Sequence, residues 1–248
     1  MNNVPFYLDW TFWAVIAAFL AIILSQLPPI HILLRSAKIE VDVYSRIFIT
    51  HKVGNPNVQL HMIINNSGGR EVKIKSILLH FKREKEDQFT LPAQTYLQLP
   101  SDKSAVLLSS FKLKPKEEWT HLINFLNFFS RTEEKEYRQL ESNLRKDILQ
   151  KKQKPENKDL YVESEPNVVQ PIMEFFKRKF RWAPGEYEVA LEIRALPEKA
   201  SKLIKYRFTM FESDSTELQD YTKEYKHGAG VYFDDINQTG MILPLTEA

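Results

Sequence analysis

Val58-Gln59-Leu60-His61-Met62-Ile63-Ile64-Asn65-Asn66-Ser67-Gly68-Gly69-Arg70-Glu71-Val72-Lys73-Ile74 is the stretch on which the reading of this chain turns. Val58, Leu60, Met62 and Ile64 recur with a period of two, which puts them on one face of an extended strand. Asn65 to Gly69 supplies residues that tolerate positive φ, and alternation restarts at Val72 and Ile74 before resuming at Ile77, Leu79 and Phe81. Two strands therefore flank a reversal, either as a hairpin or as a connection between opposed sheets.

The same period extends in both directions. Upstream, Ile39, Val41 and Val43, then Ile47 and Ile49, predict a strand or a bent pair, followed by turn residues Gly54-Asn55-Pro56-Asn57. Downstream, strands are expected over 88–99, 105–113, 186–195, 202–211 and about 230–243. Between them the period changes. Trp119, Leu122, Ile123, Leu126 and Phe129 keep one helical face, Tyr137, Leu140, Leu144 and Ile148 keep another, and Ser130-Arg131-Thr132-Glu133 reads as a capping box dividing the two. A helical hairpin is thus expected inside an insertion at about 115–182, with the charged, Pro-punctuated residues 151–166 as an exposed loop. A last short helix starts at Asp214, carries Leu218, Tyr221 and Tyr225 inward and stops before Gly228. Many short strands without repeated strand–helix–strand units point to a mainly β fold with a helical insertion, namely an immunoglobulin-like β-sandwich over residues 37–248. The marker cysteines of antibody domains are absent, as is every other cysteine.

The first 34 residues are of another kind, because Asp9 is their sole Asp, Glu, Lys or Arg. Residues Trp10 to Leu27 span roughly 27 Å as a helix, close to the hydrocarbon thickness of a bilayer. Trp10 and Trp13 sit where aromatics anchor at an interface, Phe19, Leu20 and Ile23 face lipid, and Pro28-Pro29 ends the helical ladder. Residues 1–36 are read as a single transmembrane anchor with an interfacial segment. Arg35, Lys38, Arg46 and Lys52 follow it and no Lys or Arg precedes it, which sets the N-terminus outside and the body in the cytoplasm. A cleaved signal peptide is disfavoured because no positive n-region precedes the apolar run. Two sequons, at Asn65 and Asn237, are read as turn residues.

A net charge of +2 falls short of what a general nucleic-acid binder needs, so nucleic acid is not an expected partner. No Gly-rich phosphate loop, nucleophile elbow or zinc motif occurs, so no cofactor, metal or catalytic residue is assigned and an enzyme is not expected. His121, four residues after Glu117 on the expected helix, lacks a third ligand, and His227 near Asp234 and Asp235 is read as a helix-end residue. His61 and His80 alternate with apolar neighbours and are expected to face solvent.

The strongest local feature is Phe175-Phe176-Lys177-Arg178-Lys179-Phe180-Arg181-Trp182, where four cations interleave with large rings. Lys177, Arg178, Lys179, Phe180, Arg181 and Trp182 form a candidate membrane or partner contact, against the alternative that the rings are core and the cations solvated. Phe125 and Phe128 fall off the first helical face and are added to that contact set. These features predict a single-pass, membrane-anchored interaction module, a subunit of a membrane-associated complex in defence or transport machinery. Its partners would be the bilayer and a protein or a second copy. The alternative is a tethered ligand sensor or effector signalling through oligomerisation of its transmembrane helix, its small ligand unspecified.

Overall fold

Alternation fixes the sheet first. In the computed structural model, which describes residues 10–26, 35–84, 87–98, 104–154, 161–233 and 240–248, every second residue of β3 (Asn55–Asn66) is buried. It pairs antiparallel with β1 (Ile39–Val43) and β2 (Arg46–Lys52) on one side and with β8 (Glu118–Leu126) on the other. β4 (Val72–Arg83) buries Val72 and Ile74, then Ile77, Leu79 and Phe81. That phase change is a bulge, where the register with β9 (Gly185–Leu196) shifts between Ile74 and Ser76.

The remaining strands are β5 (Asp87–Leu97), β6 (Val106–Leu107), β7 (Phe111–Leu113), β10 (Lys202–Met210), β11 (Met241–Pro244) and β12 (Thr246–Glu247). The sheet runs β11-β2-β3-β8-β5-β4-β9-β10-β12, with β1, β6 and β7 as side branches. Two separate facing sheets were expected, whereas one antiparallel sheet curls until it almost closes. β5 makes the corner. It pairs β4 up to Pro92 and β8 from Ala93 onward, with an irregularity between Ala93 and Thr95 that lets the strand pass from one layer to the other. The C-terminal segment stitches the ends, since β11 lies on β2, Leu245 N–H donates to Ser45 O, and β12 lies on β10.

The reversal at Asn65 to Gly69 is the inter-sheet connection, not a hairpin, because β3 and β4 do not pair with each other. Asn66 holds it, its buried Nδ2 donating to the carbonyls of Arg70 and Leu113 and its Oδ1 accepting from Gly68 N–H. The tight hairpin is instead Val53-Gly54, both at positive φ, between Lys52 and its register partner Asn55.

The expected helix at Trp119 to Phe129 is strand β8. Its residues suit both periods, and nine residues of pairing along β3 decide for the strand, with Ile123 and Phe125 facing the core. The helical pair is α2 (Arg131–Lys152) and α3 (Pro166–Lys179), joined by α4 (Glu212–Asp220) and a 3₁₀ stretch, Tyr221–His227, that ends at left-handed Gly228. The capping box forms, with Ser130 accepting from Glu133 N–H and the Glu133 carboxylate from Ser130 N–H. These helices build a second core of Val53, Tyr137, Leu144, Ile172, Phe175 and Tyr225, among others, over the β2–β3 turn. Among the described residues of the expected strand at 230–243, β11 is the strand that forms, and residues 234–239 lie outside the described residues. Of the expected 151–166 loop, residues 155–160 lie outside the described residues, while Lys151 and Lys152 still belong to α2 and Pro166 already opens α3.

α1 (Trp10–Gln26) is the expected apolar helix, yet among the described residues no helix is long and apolar enough to cross a membrane. At 17 residues it covers about 26 Å, short of a hydrocarbon core of about 30 Å. Residues 27–34, which were to complete the anchor, lie outside the described residues.

Candidate functional site

The sheet's outer face carries the best-formed recess, about 370 Å³, over the small side chain of Ala190 on β9. His80, Lys82, Phe89, Thr90, Glu188 and Lys205, from β4, β5, β9 and β10, rim it. A line of hydrogen bonds crosses its wall. Thr90 Oγ1 lies 2.9 Å from His80 Nδ1, and His80 Nε2 lies 2.8 Å from Glu192 Oε2. The Arg194 guanidinium, 2.7 Å from Glu192 Oε1, and then His80 hold the Glu192 carboxyl below its usual range. An ionised Glu192 only accepts, so His80 Nε2 donates to it, and in the neutral ring Nδ1 then accepts from the Thr90 hydroxyl.

This hydroxyl–imidazole–carboxylate order has the sequence of a nucleophile, a base and an orienting group. Among the described residues the recess rim consists of strand residues apart from Ala248. An apolar floor with a few fixed polar groups has the make-up of a small-ligand recess. Sequence reasoning assigned His80 to solvent and missed the network, because the register that brings Thr90 and Glu192 to it is a tertiary fact.

A second histidine was missed altogether. His51 on β2 is buried, with Nε2 2.8 Å from Leu218 O and Nδ1 accepting from Gly54 N–H at 3.2 Å. The rings of Phe176 and Phe180 pack edge-on against it. Burial pushes its pKa down, opposed by the Leu218 carbonyl, so the neutral ring is a structural pin between sheet and helical layer.

The basic-aromatic segment divides by depth. Phe175 and Phe176 enter the second core, and Trp182 is 0% exposed, its ring against Phe81, Phe89 and Tyr187 and its Nε1 donating to Thr50 O at 3.0 Å. Trp182 is therefore withdrawn from any contact surface, Phe180 is half-buried, and Lys177, Arg178 and Arg181 remain exposed. Two cations already have partners on α2, Arg178 with Glu136 and Lys179 with Glu133. Phe125 is likewise core, whereas Phe128, just past the end of β8, is 66% exposed beside a cavity of about 330 Å³ rimmed by Asn55, Leu126, Phe129 and Tyr137.

His121 lies on β8, not on a helix, packed between Trp119 and Tyr96, so Glu117 four residues earlier is far along the strand. His227 stacks on Tyr161 at 3.9 Å, near Glu163, while Asp234 and Asp235 lie outside the described residues. Among the described residues no group of three or more His, Asp or Glu side chains is placed to hold a metal ion. The anchor residues Trp10, Trp13, Phe19, Leu20 and Ile23 are all exposed along α1, which contributes to neither core. No protein-family model matches the chain, and no curated protein matches it.

Proposed function

We propose that this chain is a membrane-anchored interaction module whose β domain works at the cytoplasmic face of a bilayer. The observation that carries the reading is α1. Eight of its large apolar side chains are exposed, from Trp10 at 85% to Ile23 at 45%, and none is recruited into the folded body. Exposed apolar surface of that extent on a charge-free helix needs a covering, and lipid supplies one along the whole circumference. As a helix Trp10–Gln26 covers about 26 Å of a hydrocarbon core of about 30 Å, and the residues that follow it in sequence up to Leu34 carry no Asp, Glu, Lys or Arg. Arg35 and Lys38 then favour the cytoplasmic side.

Membrane fractionation tests the anchor. The full chain is expected to stay in the pellet after high salt and after alkaline carbonate, and the body to be digested by protease added to the cytoplasmic side of sealed vesicles. Release of intact chain by carbonate would refute insertion, and protection of the body would reverse the orientation.

A further inference from the structure

Residues 241–248 join the two ends of the curled sheet along part of its height. Leu245 N–H still donates to Ser45 O at 2.8 Å, but from Thr246 onward the segment leaves the β1–β2 side and pairs with β10, ending with Ala248 N–H on Lys205 O at 3.0 Å. Below that fork an opening of about 640 Å³ separates β1 from β10, lined by Val41, Leu203 and Ile204, by the carboxylates of Glu40, Asp42 and Glu247, and by Lys202 and Lys205. β1 pairs with β3 on one side and with no other described strand.

Backbone parity shows what that edge offers. Tyr44 N–H donates to His61 O on β3 and Ser45 O accepts from the C-terminal segment, so even-numbered residues turn their peptide groups inward and odd-numbered ones outward. Continued along β1, this places the N–H and C=O groups of Val41 and Val43 on the open edge, in line with Ser45. Their side chains meanwhile pack partly against the core, as does Ile204 across the opening. Glu40, paired with Lys38 at 2.8 Å, and Asp42 turn to the opposite, exposed face, and Leu203 on the far wall is 60% exposed.

We propose that this opening receives an extended segment of a second polypeptide, which adds to β1 as a strand and extends the line that the C-terminal segment abandons at Leu245. Strand addition of this kind takes its affinity from main-chain hydrogen bonds and its selectivity from alternate side chains. The inward positions of the incoming strand meet Val41, Val43 and Ile204 and are apolar. The outward positions next to Glu40 and Asp42 are basic, because three carboxylates, Glu40, Asp42 and Glu247, line the opening against two lysines, Lys202 and Lys205. A second copy of β1 is a poor occupant, because its own Glu40 and Asp42 would face these carboxylates across the new ladder. The inference rests on the interaction-module reading but not on membrane insertion, since the slot exists whether or not α1 enters lipid.

The test uses the full chain in detergent micelles and a synthetic peptide of about seven residues with alternating Lys and Val, matched to the strand repeat. A control peptide of the same charge carries a proline at its centre. Amide hydrogen exchange is followed residue by residue. The alternating peptide is expected to slow exchange at Val41 and Val43 at least tenfold, and the control to leave it unchanged. Val41→Pro removes an outward N–H without touching the β3 ladder and is expected to abolish binding. Should that variant not fold, Glu40→Lys combined with Asp42→Lys leaves the core intact and is expected to weaken binding tenfold at low salt. Unchanged exchange at Val41 and Val43 under saturating peptide would overturn the proposal, as would equal binding by both variants. Protection of the same amides without peptide, rising with chain concentration, would assign the edge to a second copy and overturn it too. Retention of the chain by membranes in the fractionation test stands or falls separately from each of these outcomes.

Discussion

Trp182→Ala separates the two readings of the basic-aromatic segment. The indole is fully buried between Phe81, Phe89 and Tyr187, and its Nε1 satisfies the carbonyl of Thr50. Truncating a buried Trp costs about 3–5 kcal/mol, and leaving a buried acceptor unpaired adds about 1 kcal/mol. The main-chain carbonyl of Trp182, which accepts from the buried Ser215 hydroxyl at 2.7 Å, is kept in the variant, so the loss is set by the side chain. A total near 5 kcal/mol is a large part of the stability of an ordinary domain. Urea unfolding followed by far-ultraviolet circular dichroism should therefore show a midpoint shifted by about 2 M or more, at a typical slope of about 2 kcal/mol per molar. Replacing Lys177, Arg178, Lys179 and Arg181 together by Gln should move the midpoint little, because the ion pairs lost are at least partly exposed. A Trp182→Ala loss below about 1 kcal/mol with an unchanged slope would refute the core assignment.

Four further substitutions probe local physics. The folded chain takes up a proton on His51 only below that residue's ordinary value of 6.5, so stability is complete above that pH and falls as the pH drops through it. His51→Gln should flatten the pH dependence of the urea midpoint between about pH 7 and 5, and an unaltered slope would contradict it. The Lys179 ammonium and then the Ser130 amide pull the Glu133 carboxyl down to about 2, so its contribution is present above 4.5 and lost as pH falls towards 2. A carboxyl titration by nuclear magnetic resonance should show that midpoint rise in Lys179→Met, and Ser130→Ala should cost about 1 kcal/mol through the lost cap. Gly54→Ala should destabilise by at least about 1 kcal/mol, measured by thermal unfolding, because φ there is +84° and a Cβ would lie 2.4 Å from Phe176 O.

Strands with strict alternation, such as β3, β9 and β10, were legible because one buried face imposes a period of two on the side chains. Even the bulge in β4 left a trace, in the step from Ile74 to Ile77. β8 was not legible, since Trp119, Leu122, Ile123 and Leu126 fit a helical face as well as a strand, and only pairing with β3 decides between them. The capping box at Ser130 was readable because its partners are three residues apart, whereas closure of the sheet depends on Leu245 meeting Ser45 across most of the chain. For the same reason the recess escaped notice. His80, Thr90 and Glu192 are brought together by strand register, and nothing local to any of them records it.

The central claim is that α1 lies in lipid while the β domain stands in water, and the absence of native cysteine makes it directly measurable. Single variants Ala17→Cys, midway along α1, and Glu198→Cys, in the 3₁₀ turn Glu198–Ala200 between β9 and β10, each take an environment-sensitive fluorophore in reconstituted full-length chain. The label at position 17 should emit at blue-shifted wavelength and be quenched by lipids carrying a quencher deep in their acyl chains, while the label at 198 should emit as in water and be quenched only by soluble iodide. Water-like emission and full iodide quenching at position 17 would contradict the account.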